Sequence, residues 1–153
     1  MVADDDIDIR ELIALMLRSR GFEVVVASDG DAALAAILSD GADGLVSDVQ
    51  MPGLDGLTLC RVLRGLRAYT ALPIVMFTDV GEEDPRLLPL RQINELCILH
   101  KPMGLSAIVP ALIEMMPTSL PNVGAGMHAR VSTGNVRGGD VVADGAQPLA
   151  TLT

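Results

Sequence analysis

The feature that most constrains this chain is an alternation, repeated from Met1 to about Met116, of short aliphatic runs with segments of helical period. The aliphatic runs are Met1 to Ala3, Phe22 to Ala27, Leu45 to Ser47, Pro73 to Phe77 and Leu96 to Leu99. Between them, Ile9, Leu12, Ile13 and Met16 recur at i, i+3, i+4 and i+7, and Ala33, Leu34, Ile37 and Leu38 do the same on a shorter stretch. Leu59, Leu63 and Leu66 mark a third helix, whose Arg61, Arg64 and Arg67 lie on another stripe and read as a solvated face. A fifth carries Leu105, Ile108, Leu112, Ile113 and Met116. The fourth, around Glu82 to Ile93, is the weakest: Pro85 suits a first turn, but Pro89 would break an interior bond. Strands alternating with helices predict βα units around a five-stranded parallel sheet.

After Pro117 the pattern stops. Residues 117–153 hold six Gly and three Pro with no aromatic residue, which predicts a flexible low-complexity tail behind a domain of residues 1–116. Residues 1–116 carry 18 acids against 9 bases, so the whole net charge of −9 sits on the domain. With no Trp, one Tyr and two Phe, its core must be aliphatic. Such an acidic chain lacks the Lys and Arg that displace counterions from phosphates, so direct nucleic-acid binding is not expected. No apolar stretch reaches the roughly 18 residues of a bilayer span, and the charged N-terminus does not read as a signal peptide. A cytoplasmic chain with no membrane contact is expected, in which Cys60 and Cys97 are reduced core residues.

Parallel α/β sheets bind ligands at the carboxyl ends of their strands. The first strand ends at Asp4 and Asp5, the third at Asp48, the fourth at Thr78 and the fifth at Lys101. Three carboxylates brought together repel one another, and the usual remedies are protonation or a hard cation bound through oxygen, for which Mg²⁺ is the natural candidate. Such a metal suits phosphoryl transfer, in which positioning and charge neutralisation do most of the work. Lys101 is the only lysine beside ten arginines, as expected for a point charge on an ion or phosphate rather than a bidentate clamp. Asp6 reads as a helix N-cap, with Asp8 and Glu11 adding favourable charge to the first turn.

The stretches VADDDIDIR, SDVQMPGLDG, PIVMFTD and HKP, in that order, resemble the receiver domain of bacterial two-component response regulators across residues 1 to about 116. The resemblance implies a flavodoxin-like (CheY-like) doubly wound sheet of order 2-1-3-4-5. It implies that Asp48 accepts a phosphoryl group from a sensor histidine kinase or phosphotransfer protein. Mg²⁺ would be held by Asp5, Asp48 and the backbone carbonyl of Gln50, with Asp4 acting through water, while Thr78 and Lys101 contact the phosphoryl oxygens. Gly56 would open the third helix and the Lys101-Pro102 bond would be cis. The protein would be no enzyme beyond self-catalysed phosphorylation and autodephosphorylation. It would signal through a conformational switch to a downstream protein partner, with a homodimer compatible.

The sequence departs from this family mainly on the switching surface. Ile98 stands where the switch aromatic is expected, Pro89 and Pro110 fall inside the fourth and fifth helices, Gln92 to Glu95 replace a Gly-Ala-Asp turn, and Asp79 follows Thr78 in place of a small residue. These departures favour an alternative, a pseudo-receiver that serves as a phosphorylation-independent interaction module. A haloacid-dehalogenase-type phosphatase fits poorly, because Asp8 stands where its Asp-x-Asp-x-Thr/Val pattern needs Thr or Val. A nucleotide-binding domain fits less, since no Gly-rich loop follows the first strand. His100 reads as a strand-end side chain, and His128 carries no signal. Only Met1, Val2 and Ala3 precede the acids, so either the true start lies upstream or the central strand is shortened and the receiver marginally stable.

Overall fold

A computed structural model describes residues 1–117. The chain runs β1 (Val2–Ala3), α1 (Ile7–Arg18), β2 (Val26–Ala27), α2 (Gly30–Asp40), β3 (Leu45–Ser47), α3 (Gly56–Gly65), β4 (Ile74–Thr78), β5 (Leu96–His100) and α4 (Ile108–Met115), with 3-10 segments at Arg67–Tyr69, Pro85–Gln92 and Met103–Ala107. All strand pairs are parallel, in the order β2-β1-β3-β4-β5. This is the five-stranded parallel sheet expected from the alternation, in the flavodoxin-like order that the family resemblance implies. The expected tail, apart from Pro117, lies outside the described residues.

Strand alternation splits the core into two aliphatic layers. Val2, Val46, Val75 and Phe77 face α1 and α4, meeting Ile13, Leu17, Ile108, Val109 and Leu112. On the other side Leu45, Ile74 and Met76 meet Ile37, Leu59, Leu63, Leu87 and Leu90. The expected strand Phe22 to Ala27 is paired only at Val26 and Ala27, against Val2 and Ala3 of β1. The first helix buries Ile13, Ala14 and Leu17 and leaves Leu12 exposed, a face turned slightly from the expected stripe.

Three expectations are corrected by packing. The fourth helix is a 3-10 segment, Pro85–Gln92, with Pro89 inside it. Runs of this length are uncommon, and this one is anchored by Leu87 and Leu90, whose burial contributes about 1.5–3 kcal/mol each. The fifth helix begins at Ile108, which puts Pro110 in its first turn, where a missing N–H costs no intrahelical bond. Arg64 is not on a solvated face. It reaches under the β5 entry, donating from Nη1 to the Tyr69 carbonyl at 2.9 Å and from Nη2 to those of Leu72 and Glu95 at 2.7 and 3.1 Å. There it ties α3 to the turn at Glu95, a non-glycine residue with a φ of 56°.

Candidate functional site

The carboxyl ends of β1, β3, β4 and β5 meet at one edge, and the connections after them carry the acids. Asp48 follows β3; its N–H donates to the Ala3 carbonyl at 2.8 Å, fastening it beside β1. Asp4 is held from the other side, where its N–H donates to Ala27 at 3.2 Å and its carboxylate accepts from the Asp6 N–H at 2.9 Å. One oxygen from each of Asp4, Asp5 and Asp48 lies within 4.8 Å of the others. Asp4 and Asp48 are buried, at 1% and 5% exposure, whereas Asp5 is open to solvent. An all-oxygen donor set with one face open to water suits a hard cation such as Mg²⁺.

Lys101 enters from β5. Its Nζ donates to Asp4 Oδ2 and to Asp48 Oδ2, each at 2.9 Å, and lies 5.7 Å from the centroid of the Phe77 ring. Burial works against its charge, yet the bonds and charges of Asp48 and Asp4 outweigh that and hold the ammonium above its usual pKa. Burial raises the pKa of Asp4, and Lys101 pulls it only part of the way back. The Lys101-Pro102 bond is cis.

Thr78 ends β4 fully buried, its Oγ1 accepting from the Val80 N–H at 3.2 Å. Gln50 is exposed, and its N–H donates to Asp48 Oδ1 at 3.2 Å. Asp79 is exposed beside Thr78. Ile98 sits in β5 opposite Met76, half-buried against the layer that includes Met76. Gly56 opens α3 behind an Asp55 N-cap, and a Cβ there would run into the backbone carbonyl of Asp48. So the structure brings Asp4, Asp5, Asp48 and Lys101 into one cluster, puts Thr78 and Gln50 at its border, and leaves Ile98 in the strand.

Residues 1–113 match the family described as "Response regulator receiver domain". The chain belongs to that family. The chain is 35% identical over 132 residues to the response regulator MprA of Mycolicibacterium vanbaalenii, covering 86% of this chain and 56% of that protein. It is 40% identical over 78 residues to the DNA-binding response regulator MtrA of Mycobacterium tuberculosis H37Rv, covering 51% of this chain and 33% of that protein. The chain thus spans about half the length or less of these two relatives. Among solved structures it resembles the chemotaxis response regulator CheY4 of Vibrio cholerae with a TM-score of 0.65 and 28% identity, covering 75% of this chain and 95% of that one. The family is one of signalling receivers rather than classical enzymes.

The MtrA relatives overturn one expectation. The acidic charge argued against nucleic-acid binding, but a matched regulator is named as DNA-binding, and the match covers only a third of it. The charge of a receiver domain reports on the surface of that domain and not on what a regulator containing it does. Among the described residues no helix is long and apolar enough to cross a membrane.

Two groups at the site escaped sequence reasoning. Arg10 donates from Nη1 to the carbonyl of Asp4 at 2.6 Å and to that of Asp5 at 3.5 Å. Arg86 lines a groove with Asp5, Gln50, Met51, Pro52 and Asp55, its guanidinium gripped by Asp84 at 2.8 Å. The signal for Arg10 was partial: side chains lean toward a helix N-terminus, so an Arg one turn into α1 leans back toward the acids, but the carbonyls it bonds are presented only by the folded chain.

Proposed function

We propose that this receiver domain accepts a phosphoryl group on Asp48 from a sensor histidine kinase or phosphotransfer protein, within a cytoplasmic two-component relay. The observation that carries the reading is the pairing of a buried Asp48 with Lys101 Nζ at 2.9 Å beside two further carboxylates. An Asp48 oxygen forms the new bond to phosphorus, the P–N bond of the phosphohistidine breaks, and its electron pair returns to the imidazole nitrogen. Asp5, Asp48 and the backbone carbonyl of Gln50 would hold Mg²⁺, with Asp4 acting through water, and a cation held there would supply charge neutralisation for the transferring group. Lys101 and Thr78 receive the phosphoryl oxygens, Lys101 as a charge-assisted donor and Thr78 through its hydroxyl. Because the MtrA relatives are named DNA-binding, we further infer that the output this receiver controls is DNA binding, in the same polypeptide or in a partner.

The 3-10 form of Pro85–Gln92 and the presence of Ile98 favour a second reading, the pseudo-receiver, in which partner binding does not depend on phosphorylation. One experiment separates the two. The full chain is incubated with Mg²⁺ and phosphoramidate, and its intact mass is measured. A Mg²⁺-dependent phosphoryl adduct that Asp48→Asn abolishes is the expected result; no adduct on the wild-type chain favours the pseudo-receiver.

A further inference from the structure

We propose that Arg10 is a positioning residue for the metal-binding turn, holding the exposed Asp5 where it can share a cation with Asp48. The inference rests on the Mg²⁺ site of the proposed function and adds a group to it. The starting point is the place where the sheet releases the chain after β1. The sheet grips this segment only as far as the Asp4 N–H, which donates to Ala27 at 3.2 Å. Asp4 itself is secured by burial, by the Asp6 N–H and by Lys101 at 2.9 Å. Asp5 comes after the last sheet bond and is exposed, so the path of its peptide decides where its carboxylate goes.

Arg10 is the side chain that grips this peptide. Asp6 caps α1, accepting from the N–H groups of Asp8 and Ile9 at 2.9 and 3.2 Å, which fixes the direction of the helix start. One turn later the Arg10 guanidinium reaches back and bridges the carbonyls of Asp4 and Asp5 at 2.6 and 3.5 Å. The half-buried guanidinium makes both contacts from one nitrogen, Nη1: the short bond to the Asp4 carbonyl fixes the peptide that enters Asp5, and the longer one to the Asp5 carbonyl adds only a weak restraint. Its positive charge opposes a nearby cation, but that charge is partly solvated and screened, whereas the hydrogen bonds are short-range and directional. Positioning therefore outweighs repulsion, and loss of Arg10 loosens the site.

The test is Mg²⁺ titration of the full chain by calorimetry, with phosphoramidate labelling at saturating Mg²⁺ read by intact mass, on wild type, Arg10→Ala and Arg10→Lys. The expected result is a Kd for Mg²⁺ raised on the order of tenfold in Arg10→Ala, as for other residues that orient ligands from behind. Arg10→Lys, which keeps a cationic nitrogen without the planar guanidinium, is expected to recover part of the loss, and labelling at saturating Mg²⁺ to stay within about twofold of wild type. An unchanged or tighter Kd in Arg10→Ala refutes the proposal, since charge repulsion or nothing would then be the main effect. An equal loss in both variants together with a lowered melting temperature also refutes it, by assigning Arg10 to folding alone. A wild-type chain that binds no Mg²⁺ refutes the parent reading, and this one with it.

Discussion

Lys101 stands between two carboxylates that water barely reaches, and its removal would leave both charges buried without a counter-ion. Replacement by Met is expected to cost about 3 kcal/mol at neutral pH without Mg²⁺, measured by urea unfolding, because breaking a buried pair leaves the uncompensated partner. Gly56 is held by sterics rather than charge. Gly56→Ala would drive a methyl group into the Asp48 carbonyl and is expected to cost about 1–3 kcal/mol or more, with displaced NMR signals for Asp48 and Gln50. At this scale the strand-end acids and the lone lysine were legible, since a charged side chain directly after an aliphatic run falls at the sheet edge. Arg10 and Arg64 were not. Both lie on amphipathic helices where a guanidinium ordinarily faces solvent, and both were drawn in by carbonyls that the chain presents only after folding.

Among the elements, Pro85–Gln92 departs furthest from a regular helix, and its start is fixed by charge. Asp84 caps it, accepting from the Arg86 N–H at 2.9 Å and from the Arg86 side chain at 2.8 to 3.2 Å. The Arg86 side chain, followed by its backbone N–H, holds the Asp84 carboxyl below its usual value of 3.8. A depressed pKa contributes stability that is present above the unfolded value and lost as pH falls through the folded one. The Asp84 carboxyl is therefore expected to titrate below pH 3.8 by NMR, and the melting difference between wild type and Asp84→Ala to close as pH falls through that midpoint. The existence of all five strands was legible from their aliphatic runs, and only β2 falls well short of its run. β2 is defined by its pairing with Val2 and Ala3 of β1, which the aliphatic run of residues 22–27 does not encode. The fifth helix likewise starts where Pro110 can occupy a first turn, which the apolar period does not encode.

For the whole molecule, residues 1–116 are proposed as the folding unit, its two aliphatic layers both lying within the described residues. Deleting residues 118–153 is therefore expected to move the melting temperature by less than about 4 °C, the shift that about 1 kcal/mol gives in a domain of this size. The net charge of the chain misled on one point, because charge is a property of the residues present while DNA binding, in the MtrA relatives, belongs to a protein about three times as long as the matched segment. By itself the sequence determined the class of fold, the strand order through its family resemblance, and the identity of the acids and lysine gathered at the sheet edge. The fold class follows from local periodicity and the edge residues from where each aliphatic run stops, whereas the strand order rests on the resemblance alone. Only the tertiary structure decided that Lys101 bridges Asp4 and Asp48, that Arg64 is drawn off the solvated face, and that Arg10 grips the turn carrying Asp5. Those contacts join residues whose separation along the chain carries no periodic signal, and they form only when packing brings unpaired carbonyls and buried charges within reach of a donor.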